Sequence, residues 1–188
     1  MKQPNLEYDK YYHIYNKGRR GENLFHENIN YEYFLELYQK HISNICKTYA
    51  WALLGNHFHL LVKTIGIETK KPLHQYFSNL FNAYTKAINK KYNRYGPLFN
   101  SPFKRIEITS ETYFKNLIYY IHYNPVHHNF VDNIDKYPWT SYNSIISNNS
   151  TIIERNEVLN WFNNDINEFI EFHKIKSDFN KIKNIIIE

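Results

Sequence analysis

Two apolar stretches, residues 49–54 and 58–62, are separated only by a short polar connection containing Gly55-Asn56, and this constrains the chain more than any other feature. Gly-Asn between such runs is a hairpin signal, so the two segments should be antiparallel strands. Within Asn56-His57-Phe58-His59-Leu60-Leu61-Val62, strand geometry sends alternate side chains to opposite faces. Phe58, Leu60 and Val62 can then dock on helices while His57 and His59 share the other face. Two imidazoles so placed can chelate a metal, yet paired strand histidines are more often plain polar-face residues. The spacing alone does not decide between the two.

The flanking sequence builds a sheet around this hairpin. Residues 11–16 are rich in aromatic and β-branched types and end at Lys17-Gly18, which reads as a strand running into a loop carrying Arg19 and Arg20. From Asn30, a good cap, Phe34, Leu37, Tyr38, His41 and Ile45 recur at helical spacing to about residue 47. Pro72 opens a second helix whose stripe runs through Leu73, Phe77, Leu80, Tyr84 and Ile88. After the Gly96-Pro97 turn, residues 103–108 alternate as a strand, and Thr109 and Ser110 offer caps for a third helix, expected to stop before Pro125. Strand, helix, strand, strand, helix, strand, helix is the split β-α-β plan of the α+β, ferredoxin-like class, an antiparallel sheet with helices on one face and one helix added. A polar stretch at 147–150 suggests a body of residues 1–146 and an appendage of 147–188. In the appendage, Val158, Trp161, Phe162, Ile166, Phe169, Ile170 and Phe172 point to a helical hairpin or one long helix.

Charge sharpens the functional reading. The net charge is +5, but residues 150–188 hold five Lys/Arg and seven Asp/Glu, so the first 149 residues carry +7. A basic body fits a polyanionic partner, although many unrelated proteins are this basic. The single cysteine, Cys46, excludes an internal disulfide, and no apolar run approaches the roughly 20 residues that span a bilayer, not even Ile185-Ile186-Ile187. A soluble, cytoplasmic protein with no membrane partner is the expectation.

On the third helix Tyr120 and Asn124 are four residues apart and project together. Phe114, Leu117, Ile118 and Ile121 form the buried stripe, with Tyr120 and Asn124 on its flank and Tyr119 and Tyr123 nearer solvent. In a chain with 18 tyrosines the ordinary fate of any one is packing, so position must select Tyr120.

Taken in order, five blocks resemble the HUH single-strand nucleases, and among them the REP-associated tyrosine transposases of the single-tyrosine insertion-sequence family. They are the strand and Asn-x-Gly of residues 12–18, Asn56 to Val62, Gly96-Pro97-Leu98-Phe99 with Phe103-Lys104, Tyr120 to Val126, and Pro138-Trp139-Thr140-Ser141-Tyr142. Departures are Leu54-Gly55 where the family has Met-Pro, Pro102 where it has Arg, and His127-His128 where Arg commonly follows Asn-Pro-Val.

The resemblance implies a metal-dependent transposase that cuts and rejoins single-stranded DNA through a 5′-phosphotyrosine, at hairpin-containing repeats. It implies that His57, His59 and Asn124 hold Mg²⁺ or Mn²⁺ and that Tyr120 is the nucleophile; Lys17, Arg19, Arg20, Lys104 and Arg105 are the candidate DNA contacts, with plain solvated charge as the alternative. A monomer and a homodimer are both compatible with it. The alternatives are a non-catalytic, domesticated hairpin-binding protein, a replication initiator or relaxase without its usual extra elements, and a zinc hydrolase drawing on a carboxylate such as Glu68. His122 is a weaker candidate for assisting Tyr120.

Overall fold

The computed structural model describes residues 3–66 and 69–175. Glu68 and residues 176–188 lie outside them, so the carboxylate of the hydrolase reading and the end of the appendage are not placed. Four strands form one sheet: β1 (Tyr11–Lys17), β2 (Cys46–Leu54), β3 (His57–Thr64) and β4 (Lys104–Ile108), in the order β2-β3-β1-β4. All pairings are antiparallel. With α1 (Asn28–Ile42) linking β1 to β2 and α2 (Leu73–Lys91) linking β3 to β4, this is the expected ferredoxin-like plan.

Register divides the residues between two faces. Tyr15 lies opposite both His59 and Lys104, His59 lies opposite Ala52, and His13 lies opposite Leu61 and Ile106. The other face carries Tyr12, Ile14, Phe58, Leu60 and Val62, all at most 1% exposed. There α1 and α2 pack, Phe34 and Phe81 meeting the Phe58 ring at 5.3 and 5.5 Å between centroids. The added helix, α3 (Glu111–His127), lies against β2 and β3 with Tyr120 beside His59, so the histidine face is roofed by a second layer.

Local details differ from expectation for readable reasons. Asn30 is not the cap of α1 but its third residue; its side-chain oxygen accepts the His26 and Glu27 amides at 2.9 and 3.2 Å, and Glu27 takes the cap position. Pro125 does not end α3, which runs one turn further to His127. A proline this close to the end forfeits one bond, to the Ile121 carbonyl, and its own carbonyl is taken by Phe130 N at 2.9 Å. Ser110 caps the start, its Oγ accepting Tyr113 N at 3.2 Å.

The appendage adopts two short helices, α5 (Arg155–Asn160) and α6 (Ile166–Lys174), after a five-residue α4 (Tyr142–Ile146). Both pack on the body: Glu154 N bonds Thr48 O, Glu157 accepts the Tyr49 hydroxyl at 2.5 Å, and His173 bonds His122 at 2.9 Å. This covering corrects one orientation, because Tyr119 is 1% exposed beneath Phe172 and His173 rather than near solvent. Among the described residues no helix is long and apolar enough to cross a membrane.

Candidate active site

β3 and α3 meet where β3 begins. His57 Nε2 is 3.1 Å from Asn124 Oδ1, and His57 Nδ1 is 2.7 Å from Asn56 Oδ1. Carboxamide oxygens only accept, and a neutral imidazole carries one N–H. With Nδ1–H given to Asn56, the Nε2 lone pair confronts the lone pairs of Asn124. A second proton, a cation or a turned amide must resolve the conflict. Two ligands at right angles on an octahedral ion with bonds of about 2.1 Å stand about 3.0 Å apart, close to the separation here. Asn124 is fully buried, and its Nδ2 has no hydrogen-bond partner among the described residues.

His59 extends the set. Its Nδ1 is 2.9 Å from Nε2 of His13, a fully buried residue of β1 that the sequence reading passed over. If His59 ligates through Nε2, its Nδ1 must hold the proton and donate it to His13, which fixes ring orientation as metal-binding histidines require. Burial pushes the His13 imidazole down to about 3, and burial followed by the charges of His13, His57 and His128 pushes His59 well below its ordinary range. Both rings are neutral at neutral pH, the state in which a histidine ligates. The missing signal for His13 was register: only the pairing of Tyr15 with His59 brings a residue two positions earlier onto the same face and within reach.

Tyr120 joins from α3. Its ring meets His59 edge-on at 5.3 Å and His13 at 6.4 Å, while Tyr15 stacks along the imidazoles at 4.6 and 5.7 Å. In front of the histidines opens a cavity of about 430 Å³ lined by Tyr15, Lys17, His57, His59, Lys104 and His128, among others. Tyr120 and Asn124 adjoin it without lining it, at 2% and 0% exposure, so a phosphate at the mouth meets Tyr120 only if the cavity deepens toward α3.

Lys17 and Lys104 therefore face the site, and Arg19 and Arg20 line a second hollow beside it. Arg105 does not join them. Strand alternation turns it to the opposite face from Lys104, where it is 8% exposed, stacks over Phe103 and donates to the carbonyls of Pro4 and Gln3. His122 also faces away, bonded to Ser141 at 2.8 Å and to His173. Among the described residues no three His, Cys, Asp or Glu side chains converge as a metal cage, so a cation here would rest on two histidines and an amide. Two imidazoles and one amide oxygen fall short of the four protein ligands of a closed structural zinc site and leave positions open for phosphate oxygens.

No family model and no curated protein matches the chain. Among solved structures it is similar to a REP-associated tyrosine transposase bound to a REP hairpin, with a TM-score of 0.61 over 84% of this chain and 93% of that one, at 17% identity. The chain has that transposase's fold. The resemblance read from the five sequence blocks thus agrees with a likeness of fold over 84% of the chain. A bacterial tRNA(His) guanylyltransferase-like protein aligns far less well, with TM-scores of 0.43 in complex with ATP and 0.40 with GTP, at 12% identity over 87% and 70% of this chain and 75% and 73% of those chains.

Support of the His59 ring by His13 has a measurable consequence. If His59 ligates a cation, replacing His13 with Phe should weaken Mn²⁺ binding by roughly 10- to 100-fold, the usual cost of losing the partner of a ligating histidine. His13→Gln, which keeps an acceptor, should recover part of that. Electron paramagnetic resonance of free Mn²⁺ would read both, and equal affinity in all three proteins would remove His13 from the site.

Proposed function

We propose that this chain is a single-strand DNA endonuclease and strand transferase of the transposase type, acting on hairpin-bearing DNA. The observation that carries the reading is the meeting of His57 Nε2 and Asn124 Oδ1 at 3.1 Å, with His59 and Tyr120 alongside and a cavity bearing Lys17 and Lys104 in front.

Tyr120 is the nucleophile in this reading. Its Oη attacks phosphorus, the P–O3′ bond breaks, the phenol loses one proton and the departing 3′ oxygen gains one. The 5′ phosphate stays on the protein as a tyrosyl ester. Because one phosphodiester replaces another, a 3′ hydroxyl from a second strand can reverse the step and seal a new junction without a nucleotide cofactor. Lys17 and Lys104 neutralise the strand entering the cavity, and Tyr15 closes one side with its aromatic face. A phenol with an ordinary value near 10 is a weak nucleophile at neutral pH and needs help. Mg²⁺ or Mn²⁺ held by His57, His59 and Asn124 would supply Lewis-acid polarisation of the phosphate oxygens. The neutral His13–His59 pair keeps that ligand face deprotonated. The second reading, a hairpin-binding protein without catalysis, draws on the burial of Tyr120.

Incubation with a 3′-end-labelled, single-stranded hairpin oligonucleotide and Mn²⁺, followed by a denaturing gel, separates the two. A label that migrates with the protein, and fails to do so when EDTA is present from the start, is expected. Tight binding with no linked strand would favour the non-catalytic reading.

A further inference from the structure

Beside the main cavity lies a hollow of about 190 Å³ lined by Arg19, Arg20, Glu22, Arg94, Tyr95 and Pro97. Tyr95 is 87% exposed, more than any other exposed large hydrophobic side chain among the described residues. A frayed loop would explain such a ring, but this loop is built. Asn93 and Gly96, at φ of 49° and 84°, take left-handed conformations on either side of Arg94-Tyr95. Arg94 fastens the loop at both ends, with an ion pair to Glu22 at 2.5 Å and a hydrogen bond to the Asn89 side chain.

The facing loop is equally fixed. Gly18 N bonds Asn56 O at 2.7 Å, and a Cβ at Gly18 would fall 1.8 Å from the Glu22 carbonyl oxygen, so no larger residue fits. Arg20 is itself left-handed, at φ 56°. Both guanidiniums are exposed, and neither has an ion-pair partner among the described residues. Two cations and one ring are thus held toward water by rigid backbone. Their place is set by the main site: Asn100 N bonds Lys17 O at 3.0 Å, and Arg19 N bonds Leu98 O at 2.8 Å. Lys17 and Asn100 line the first cavity, Arg19 and Pro97 the second. Two residues of chain span at most about 7 Å, so the hollows are neighbours on one track.

We propose that Tyr95, Arg19 and Arg20 form a stacking subsite for an unpaired nucleobase of the strand whose phosphate enters the cavity at Lys17 and His57. The proposal rests on the single-strand DNA reading above. Aromatic faces take any base, and guanidiniums stack on bases or bridge to the adjoining phosphates, so the subsite grips a strand without choosing its sequence.

The test compares a DNA hairpin carrying a single-stranded thymidine tail with the same hairpin cut blunt, by fluorescence anisotropy. Tyr95→Ala should weaken binding of the tailed hairpin by roughly 5- to 100-fold, the range for one lost base stack, and leave the blunt one unchanged. Tyr95→Phe should bind both like the wild type, and Arg20→Ala should lower the salt dependence on the tailed hairpin by about one unit of slope. Equal losses on both hairpins, or no loss on either, would overturn the subsite while leaving wild-type adduct formation as evidence for the function. Wild-type protein that binds neither hairpin would overturn both.

Discussion

Tyr120→Phe should lower formation of the protein–DNA adduct by at least roughly 10³-fold while DNA affinity changes by no more than about twofold. The reaction in this reading has one nucleophile, so nothing replaces a missing Oη; a ring of nearly the same volume keeps α3 seated on β2 and β3. Losing a buried hydroxyl costs on the order of 1 kcal/mol of stability, too little to unfold a domain. The neighbouring tyrosines make the result diagnostic. Tyr119 and Tyr123 stack on one another at 5.2 Å, and Tyr119 lies under α6, away from His59. An adduct that persists in Tyr120→Phe but vanishes in Tyr123→Phe would move the nucleophile to the other side of the helix, and the assignment would fail. Quantitative denaturing gels on the wild type and the two variants give the answer.

How much of this was legible in the sequence depended on the range of the interaction. Alternation in residues 57–62 and the Gly55-Asn56 turn fixed the hairpin and the shared face of His57 and His59, because both are set by neighbours in the chain. Helical spacing placed Tyr120 over Asn124 for the same reason. What pattern could not supply was the partner across space. The four-residue reach of Asn30 back to His26 and the tolerance of Pro125 in the last turn depend on which carbonyls and amides lack other partners. His13 became visible only through the register of β1 on β3, which no local pattern encodes. Arg105 groups with Lys104 by charge, whereas alternation along β4 sets the two on opposite faces, and Tyr119 reads as near solvent because the covering by α6 lies about 50 residues away.

Stability should fall steeply as the pH drops from about 6.5 to 4, by on the order of 3 kcal/mol for His173 alone. The cause is a chain of bonds that has one consistent set of proton positions. His173 Nδ1–H donates to the Phe169 carbonyl at 2.8 Å, which leaves Nε2 to accept from His122 Nδ1–H at 2.9 Å. His122 Nε2 then accepts from the Ser141 hydroxyl at 2.8 Å, whose oxygen accepts the Trp51 amide at 2.9 Å. Every group is matched with both rings neutral, and a proton added to His173 Nε2 would set two donors face to face. Burial pushes His173 down to about 4, its bond to Phe169 opposing, and burial with the charge of His173 pushes His122 well below the usual range. Since the folded values lie below the unfolded value near 6.5, the unfolded chain binds the extra protons. The stabilisation is complete above that value and is lost on the way down to the folded one, at up to about 1.4 kcal/mol per pH unit for each ring. The lowered carboxylates Glu27 and Glu157 act at lower pH, below their ordinary range, whereas the buried His13 and His59 are lowered in the same way and add to the slope. Because this chain of bonds ties α6 to the helix that carries Tyr120 and Asn124, acid should loosen the appendage and α3 together. Urea midpoints measured from pH 7.5 to 4.5 should show the slope, and His122→Leu with His173→Leu should flatten it by the share of the pair. A wild-type midpoint that does not move between pH 7 and 5 would show that these histidines are not held neutral by burial.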